Sequence, residues 1–300
     1  MSRSAPTLQI ATSPHITSGA SVETIMRHVV WALLPVCLFA IYSFGLSALL
    51  LLATAVLSCV GSEYLLNRAS GRPDTIGDWS AVITGLLLGL TLPPGLPLWM
   101  VAVGGITSVA LGKFLFGGLG YNIFNPALVG RAFLQAAFPA AMTHWAPALA
   151  EGRFTSVPAS TLALPFSAPA LDAVSAATPL TQWKFDGEPT ASASLLLGTT
   201  AGSTGETCAV LIVAGGGYLA LRRFLNWRIP VTICATVGAL SWALHAAEPA
   251  RYPAPDFMLF SGGLMLGAVF MATDMVGSPI TAAGSVVFGV LIGALITLIR

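Results

Sequence analysis

The sequence predicts an all-α, polytopic membrane helix bundle, on three observations. The chain has 300 residues, of which 55% are hydrophobic and only 8% are charged, whereas soluble domains carry about 25% charged residues. Several apolar runs approach about 20 residues, the length of a bilayer-spanning helix. Finally, apolar segments in both halves are interrupted by Gly and Pro, a pattern of discontinuous helices and inverted repeats. A net charge of +1 gives no case for nucleic acid. Met1 to Arg27 is polar, rich in Ser and Thr, and lacks the apolar core of a cleavable signal peptide. Cys37, Cys59, Cys208 and Cys234 are dispersed in apolar segments without a C-x-x-C pair, which reads as buried structural thiols.

About nine spans follow in order. Val29 to Phe44 is the first and Leu46 to Leu66 the second, before a connector from Asn67 to Asp78. Ala81 to Leu92 is short and stopped by Pro93-Pro94, and Leu96 to Phe116 is the fourth. The turn Gly117-Gly118-Leu119-Gly120 leads through Tyr121-Asn122-Ile123-Phe124-Asn125 to Pro126, which starts a fifth helix from Ala127 to Phe138. A long loop runs from His144 to about Thr204. Glu206 to Leu221, Ile229 to Ala246, Phe257 to Ala272 and Ala282 to Ile299 complete the set. The organisation is therefore an N-terminal segment (1–28), a first bundle half (29–140), a loop (141–204) and a second half (205–300). The pairs Gly85/Gly89, Gly263/Gly267 and Gly289/Gly293 fit helix-packing contacts.

Threading these spans puts Arg3, Arg27, Arg68, Arg72, Lys113, Arg222, Arg223 and Arg228 on one side and Arg153, Lys184 and Arg251 on the other. Basic residues mark the cytoplasmic side. The N-terminus is thus expected in the cytoplasm and the long loop outside it. A reporter near Gly187 that reads as cytoplasmic overturns this orientation.

The stretch Leu171 to Leu180 in that loop holds the most distinctive chemistry. Pro179 pushes Thr178 towards an extended backbone, and Ser175, Ala176 and Ala177 leave little bulk around its hydroxyl. On the local pattern alone, Thr-Pro is mostly a helix start, with Thr as N-cap and Pro at the first helical position; the rest of the chain is what favours the reactive-hydroxyl reading. Three further constellations stand out. Asn122 and Asn125 can donate to and accept from the edge of a heterocycle. Arg131, inside a span, requires a carboxylate, a phosphate or carbonyls, or else snorkels to an interface. Gly202-Ser203-Thr204-Gly205-Glu206-Thr207 opens the sixth span, where N–H groups suit an anion or the Glu206 carboxylate, and its glycines admit a close ring or phosphate. Asp274 sits at a break and either caps it or serves an ion pathway. No metal spacing and no Ser-His-Asp arrangement is legible among His15, His28, His144 and His245.

Together, several stretches carry a resemblance. They are Ser13-Pro14-His15, Thr84 to Pro94, Gly120 to Ala127, Asp172 to Thr178, Gly202 to Thr207, Ala272-Thr273-Asp274 and Ser278 to Thr281. In this order, over almost the whole chain, they resemble the D subunits of Rnf ion-translocating electron-transport complexes. The similarity extends, more distantly, to the B subunits of sodium-translocating NADH:quinone reductases. The resemblance implies FMN joined through its phosphate to the threonine ending an Asp-x-x-Ser/Thr-x-Ala-Thr motif, here Thr178, with Asp172, Ser175 and Ala177 at the other positions. A flavin transferase using FAD makes that bond. The resemblance also implies a noncovalent flavin, riboflavin, in the membrane domain. For its contacts Asn122, Asn125, Arg131 and Gly202, Ser203, Gly205 and Glu206 are candidates by their chemistry alone. The implied function is a redox subunit, not a complete enzyme, in a bacterial inner membrane. Its partners would be an extracytoplasmic flavoprotein subunit and iron–sulfur subunits. The family pattern continues into a Gly-Gly-Tyr-Pro-type turn and a tenth span, whereas this sequence stops at Arg300, so the second half is expected to lack its last helix. A small-solute channel or transporter is the competing class, because broken helices and few charges suit it equally.

Overall fold

A computed structural model of the chain describes residues 21–165, 176–187, 190–206, 208–249 and 251–300. Every regular element among them is helical, in keeping with the predicted class. Four helices are long and apolar enough to cross a membrane: α1 (Val22–Phe44), α2 (Leu46–Ala69), α10 (Arg228–Ala247) and α13 (Ala282–Ile299). Between them lie α3 (Ser80–Leu90), α4 (Leu98–Val109), α5 (Pro126–Ala137), α6 (Pro139–Met142), α7 (Pro179–Asp186), α8 (Ser192–Leu197), α9 (Ala209–Leu221), α11 (Pro255–Phe260) and α12 (Leu264–Leu266). α4 and α12 each continue into a five-residue π-helical turn, Ala110–Phe114 and Gly267–Met271 respectively.

Local chemistry accounts for the boundaries. Ser21 caps α1 by accepting from the Thr24 N–H at 3.2 Å. Gly45, at φ 69°, turns the chain from α1 into α2. A side chain there would overlap the Arg153 carbonyl oxygen, so only glycine fits. Asn125 caps α5 through its Oδ1, 3.0 Å from the Ala127 N–H, with Pro126 at the first helical position. Four spans differ from expectation. The first begins at Val22 rather than Val29, where Ser21 caps it. The third stops at Leu90, and Thr91 and Leu92 form a turn before Pro93. The sixth begins at Ala209, so Gly202 to Glu206 form a loop that precedes the helix. The eighth is two pieces, because Ser261, Gly262 and Gly263 interrupt it between α11 and α12.

The shared core contains Leu33, Val36, Leu51, Leu88, Ile212 and Leu219, all essentially buried. Outward-facing Leu38, Leu57, Leu65, Leu291 and Leu298 stay exposed, as lipid-facing side chains do. Small residues let helices approach: a Cβ on Gly85 would sit 2.5 Å from Val56 Cα, and one on Gly293 would sit 2.7 Å from Thr236 Cβ. Gly89 and Gly289 make similarly close approaches, to Leu52 and Thr232. Gly263 and Gly267 differ, since they lie at the α11–α12 break and the following π turn rather than on a packed helix face.

The connectors sort to two ends. At one, residues of α1 (Ile25, Val29), the start of α3, Lys113 to Pro126, Leu219 to Leu225 and Phe270 to Met275 meet around one cavity. This is the end rich in basic residues. At the other, Leu149 N–H bonds Ser43 O at 2.8 Å, Leu46 N–H bonds Arg153 O at 2.9 Å and Leu98 N–H bonds Thr161 O at 3.0 Å. α7 and α8 belong to that end.

Candidate functional site

The residues singled out from the sequence fall into three places. Asn122, Asn125 and Asp274 come together at the basic end, with Ser80, Thr84 and Lys113, around a cavity of about 100 Å³. Its apolar walls include Ile83, Leu87 and Phe270. Asn122 is buried, and its Nδ2 donates to Phe124 O at 3.2 Å and to Asp274 Oδ2 at 3.4 Å. Asn122 Oδ1 and Asn125 Nδ2 make no hydrogen bond among the described residues. One acceptor and one donor therefore remain to meet a ligand. Asp274 caps the turn after the π segment by accepting from the Val276 N–H at 3.4 Å. Burial raises its carboxyl above the usual carboxylate range, against the opposing pull of the Val276 and Asn122 donors. Both uses foreseen for Asp274 thus meet in one position: it caps a break and it lines a cavity.

The second place is the carboxyl end of α3. A truncated helix leaves carbonyls without partners, and here one loop and α5 supply three donors. Thr204 N–H bonds Leu92 O at 3.1 Å, Gly205 N–H bonds Leu90 O at 2.7 Å, and Arg131 Nη1 bonds Thr91 O at 2.5 Å. Of the partners open to Arg131, carbonyls are the ones it takes. Gly205 has to be small because a Cβ would lie 2.6 Å from Leu90 Cβ and 2.8 Å from Leu90 O. The space beside it thus admits the α3 backbone, not a ring or phosphate. Glu206 accepts from the Ser203 N–H at 3.2 Å across the turn that Gly202 opens, rather than from the helix start. The α11 break is closed in a parallel way, by Arg300, whose Nη1 and Nη2 donate to Met258 O at 2.5 Å and Ser261 O at 2.8 Å.

Thr178 is the third place, at the end opposite the cavity. It is the N-cap of α7, extended at φ −72° and ψ 156°. Its Oγ1 accepts from the Thr181 N–H at 3.3 Å and lies 2.8 Å from Thr181 Oγ1. The hydroxyl is part-buried, and Ala177 beside it is exposed. Asp172 and Ser175 lie outside the described residues. Leu180, in the first turn of α7, approaches Gly262, while Glu206 approaches Gly263. The Thr178 helix and the Gly202–Glu206 loop therefore abut the same helix break.

One constellation was not foreseen. Lys113, in the π turn, binds both Glu63 oxygens at 2.7 and 2.8 Å and the Ser80 Oγ at 2.5 Å. Both charged side chains are about 5% exposed or less. The Thr75 hydroxyl also donates to Glu63, Asn67 Nδ2 donates to Thr75 at 2.9 Å, and Asp78 Oδ2 lies 4.0 Å from Lys113 Nζ. The available signal was a lone Glu and a lone Lys inside apolar runs, which marks function by default.

Residues 9–300 match the model of the NQR2, RnfD, RnfE family. The chain is 42% identical to the D subunit of the proton-translocating ferredoxin:NAD(+) oxidoreductase complex of Clostridium ljungdahlii, over 97% of this chain and 86% of that protein. It is 38% identical to the D subunit of the Na(+)-translocating ferredoxin:NAD(+) oxidoreductase complex of Acetobacterium woodii, over 98% and 85%. It is 36% identical to the D subunit of the ion-translocating oxidoreductase complex of Halorhodospira halophila, over 97% and 86%. With the match running from the N-terminal segment through every site described, the chain belongs to the NQR2, RnfD, RnfE family.

Proposed function

We propose that this chain is the flavin-bearing membrane subunit of an ion-translocating electron-transport complex of the Rnf type, and that FMN is joined to Thr178 as a phosphoester. Homology to D subunits over nearly the full chain supports the role of redox subunit. The observation that carries the attachment is the placement of Thr178 Oγ1 at the N-terminus of α7, with only alanine side chains immediately before it. The hydroxyl attacks the pyrophosphate of FAD, forming the phosphoester and releasing AMP, in a reaction run by a separate transferase. N–H groups of the first turn of α7 favour an anionic substituent at that point. Asp172, Ser175 and Ala177 complete the motif that the transferase reads.

A second, noncovalent flavin, riboflavin, fits the cavity at the basic end by the chemistry of its lining. The free Oδ1 of Asn122 and Nδ2 of Asn125 match the acceptor–donor edge of a pyrimidine-like ring, and Ile83, Leu87 and Phe270 suit its faces. At about 100 Å³ the cavity takes a tricyclic ring only if lining side chains such as Met26 and Leu225 turn aside. When bound, flavin supplies the electron chemistry, while the protein supplies position and electrostatics. The basic end faces the cytoplasm of the bacterial inner membrane, and Thr178 faces the extracytoplasmic side, where a flavoprotein subunit exchanges electrons with it. Iron–sulfur subunits serve the cytoplasmic side. The relatives' names differ between proton and Na⁺, and Asp274 is the ion-pathway candidate in this chain.

The decisive experiment is a mass measurement of the peptide containing Thr178 after expression with the transferase. An FMN adduct on that peptide, absent in Thr178→Ala, is expected. A bare peptide from a competent host, with intact solute flux through the protein, favours the transporter class instead.

A further inference from the structure

We propose that Lys113 is the counter-charge for reduced flavin in the membrane cavity, and that Glu63 controls how much of that charge the ring feels. This rests on the reading that a flavin occupies the Asn122–Asn125 cavity. Lys113 and Ser80 form part of the wall of that cavity, and Lys113 also lines a second one of about 220 Å³ with Glu63, Asn67, Arg72 and Thr75. The ion pair therefore stands between two spaces, with Lys113 lining both and Glu63 lining one.

The local backbone fixes this placement. Lys113 lies in the π turn that ends α4, a feature that occurs frequently at functional sites. Gly112 next to it admits the start of α5, since a Cβ there would lie 2.8 Å from Pro126 Cα. The turn carrying Lys113 is thereby held against the Asn125-Pro126 corner. Around Lys113 Nζ stand the two Glu63 oxygens, the Ser80 hydroxyl and, farther off, Asp78. Across the cavity stands Asp274. Arg72, beyond the second cavity, donates to Phe114 O at 3.4 Å.

A flavin held there would gain negative charge on reduction, and the protein around it would have to compensate that charge. In a poorly hydrated site such a charge interacts strongly with the nearest fixed cation. Lys113 supplies it, and Glu63 screens it. Removing each partner therefore has an opposite effect on how easily the ring is reduced, which no shared structural role produces.

The test is the midpoint potential of the noncovalent flavin, read by spectroelectrochemistry on the full chain purified with its complex. Glu63→Gln unmasks the cation and raises the potential. The Lys113→Met/Glu63→Gln pair, which leaves no unpaired buried charge, lowers it below wild type. The spread between these variants is at least tenfold in the reduced-to-oxidised ratio, about 30 mV for a two-electron couple. Lys113→Arg stays near wild type. Ser80→Ala leaves both charges but removes the third acceptor of Lys113, so it gives a smaller rise, and it replaces Glu63→Gln if that variant does not assemble. Equal potentials in wild type, Glu63→Gln (or Ser80→Ala in its place) and the Lys113→Met/Glu63→Gln pair overturn the proposal. A wild-type complex with no noncovalent flavin overturns instead the reading on which it rests.

Discussion

The two ends of this bundle hold their polar chemistry by opposite means. At the basic end, charges and amides are buried, and each is tied to a neighbour: Lys113 to Glu63 and Ser80, Asn122 to Asp274. At the other end, Thr178 stands at a short helix start beside an exposed alanine, and its hydroxyl accepts from the Thr181 N–H. On the proposed reading, the buried end retains a ring by its walls, and the open end, with small residues beside the Thr178 hydroxyl, retains one by a covalent link. The difference teaches that closed and open polar sites call for different means of holding a ligand.

The comparison breaks most sharply at Thr178. Thr178→Val keeps the shape and removes the nucleophile, so covalent flavin fluorescence in a denaturing gel should vanish completely. Thr178→Ser, which keeps the hydroxyl, should retain part of it. Flavin content in the Val variant equal to wild type would falsify the assignment. The noncovalent flavin at the far end should survive both substitutions.

The next largest effect belongs to the buried end. Lys113→Met alone leaves Glu63 charged, buried and unpaired, which costs about 3–5 kcal/mol. Thermal unfolding in detergent should show a large fall in midpoint, or no folded protein. Adding Glu63→Gln should recover most of the loss. If the single variant melts like wild type, the pair is not the buried contact described here.

Much of this was legible in the sequence, and the exceptions share a cause. Helical class, the start of α5 at Pro126 and the N-cap geometry of Thr178 are written in neighbouring residues, so local rules reached them, whereas the capping role of Asn125 came only with the structure. Glu63 and Lys113 are 50 positions apart, and each alone looks like a stray charge. For Arg131 the chemistry required an acceptor without saying which, and the acceptor came from a turn 40 positions earlier. Gly205 showed its lack of a side chain, but not that the α3 backbone would fill the space. The split of the eighth span follows from Ser261-Gly262-Gly263, a short polar break in a run whose apolar character suggested continuity.

Gly205→Ala probes the seam that joins the open end to the core. The added methyl group meets both Leu90 Cβ and Leu90 O, and backbone cannot turn aside as a side chain would. Overpacking of this kind costs about 1–3 kcal/mol. The unfolding midpoint should drop without loss of the Thr178 adduct, because among the described residues α7 approaches this region through Leu180 at the α11–α12 break. Loss of the adduct together with the stability would mean that the loop and the attachment site form one unit.

The smallest effect is expected from Arg131→Lys. The guanidinium reaches Thr91 O at 2.5 Å from α5, and it shares the carboxyl end of α3 with the N–H groups of Thr204 and Gly205. Lysine keeps the positive charge, which the carbonyl end of a helix favours, but loses the planar fork that points a donor at one oxygen. Since neighbouring carbonyls keep their own donors, the cost is that of one weakened bond, about 1 kcal/mol. Thermal unfolding should therefore show a small fall, with both flavins retained. Arg131→Met removes the donor and the charge together and should fall further, still with the Asn122–Asn125 cavity occupied. Loss of the noncovalent flavin in Arg131→Lys would place this side chain in the ligand site and erase the division between the α3 cap and the cavity.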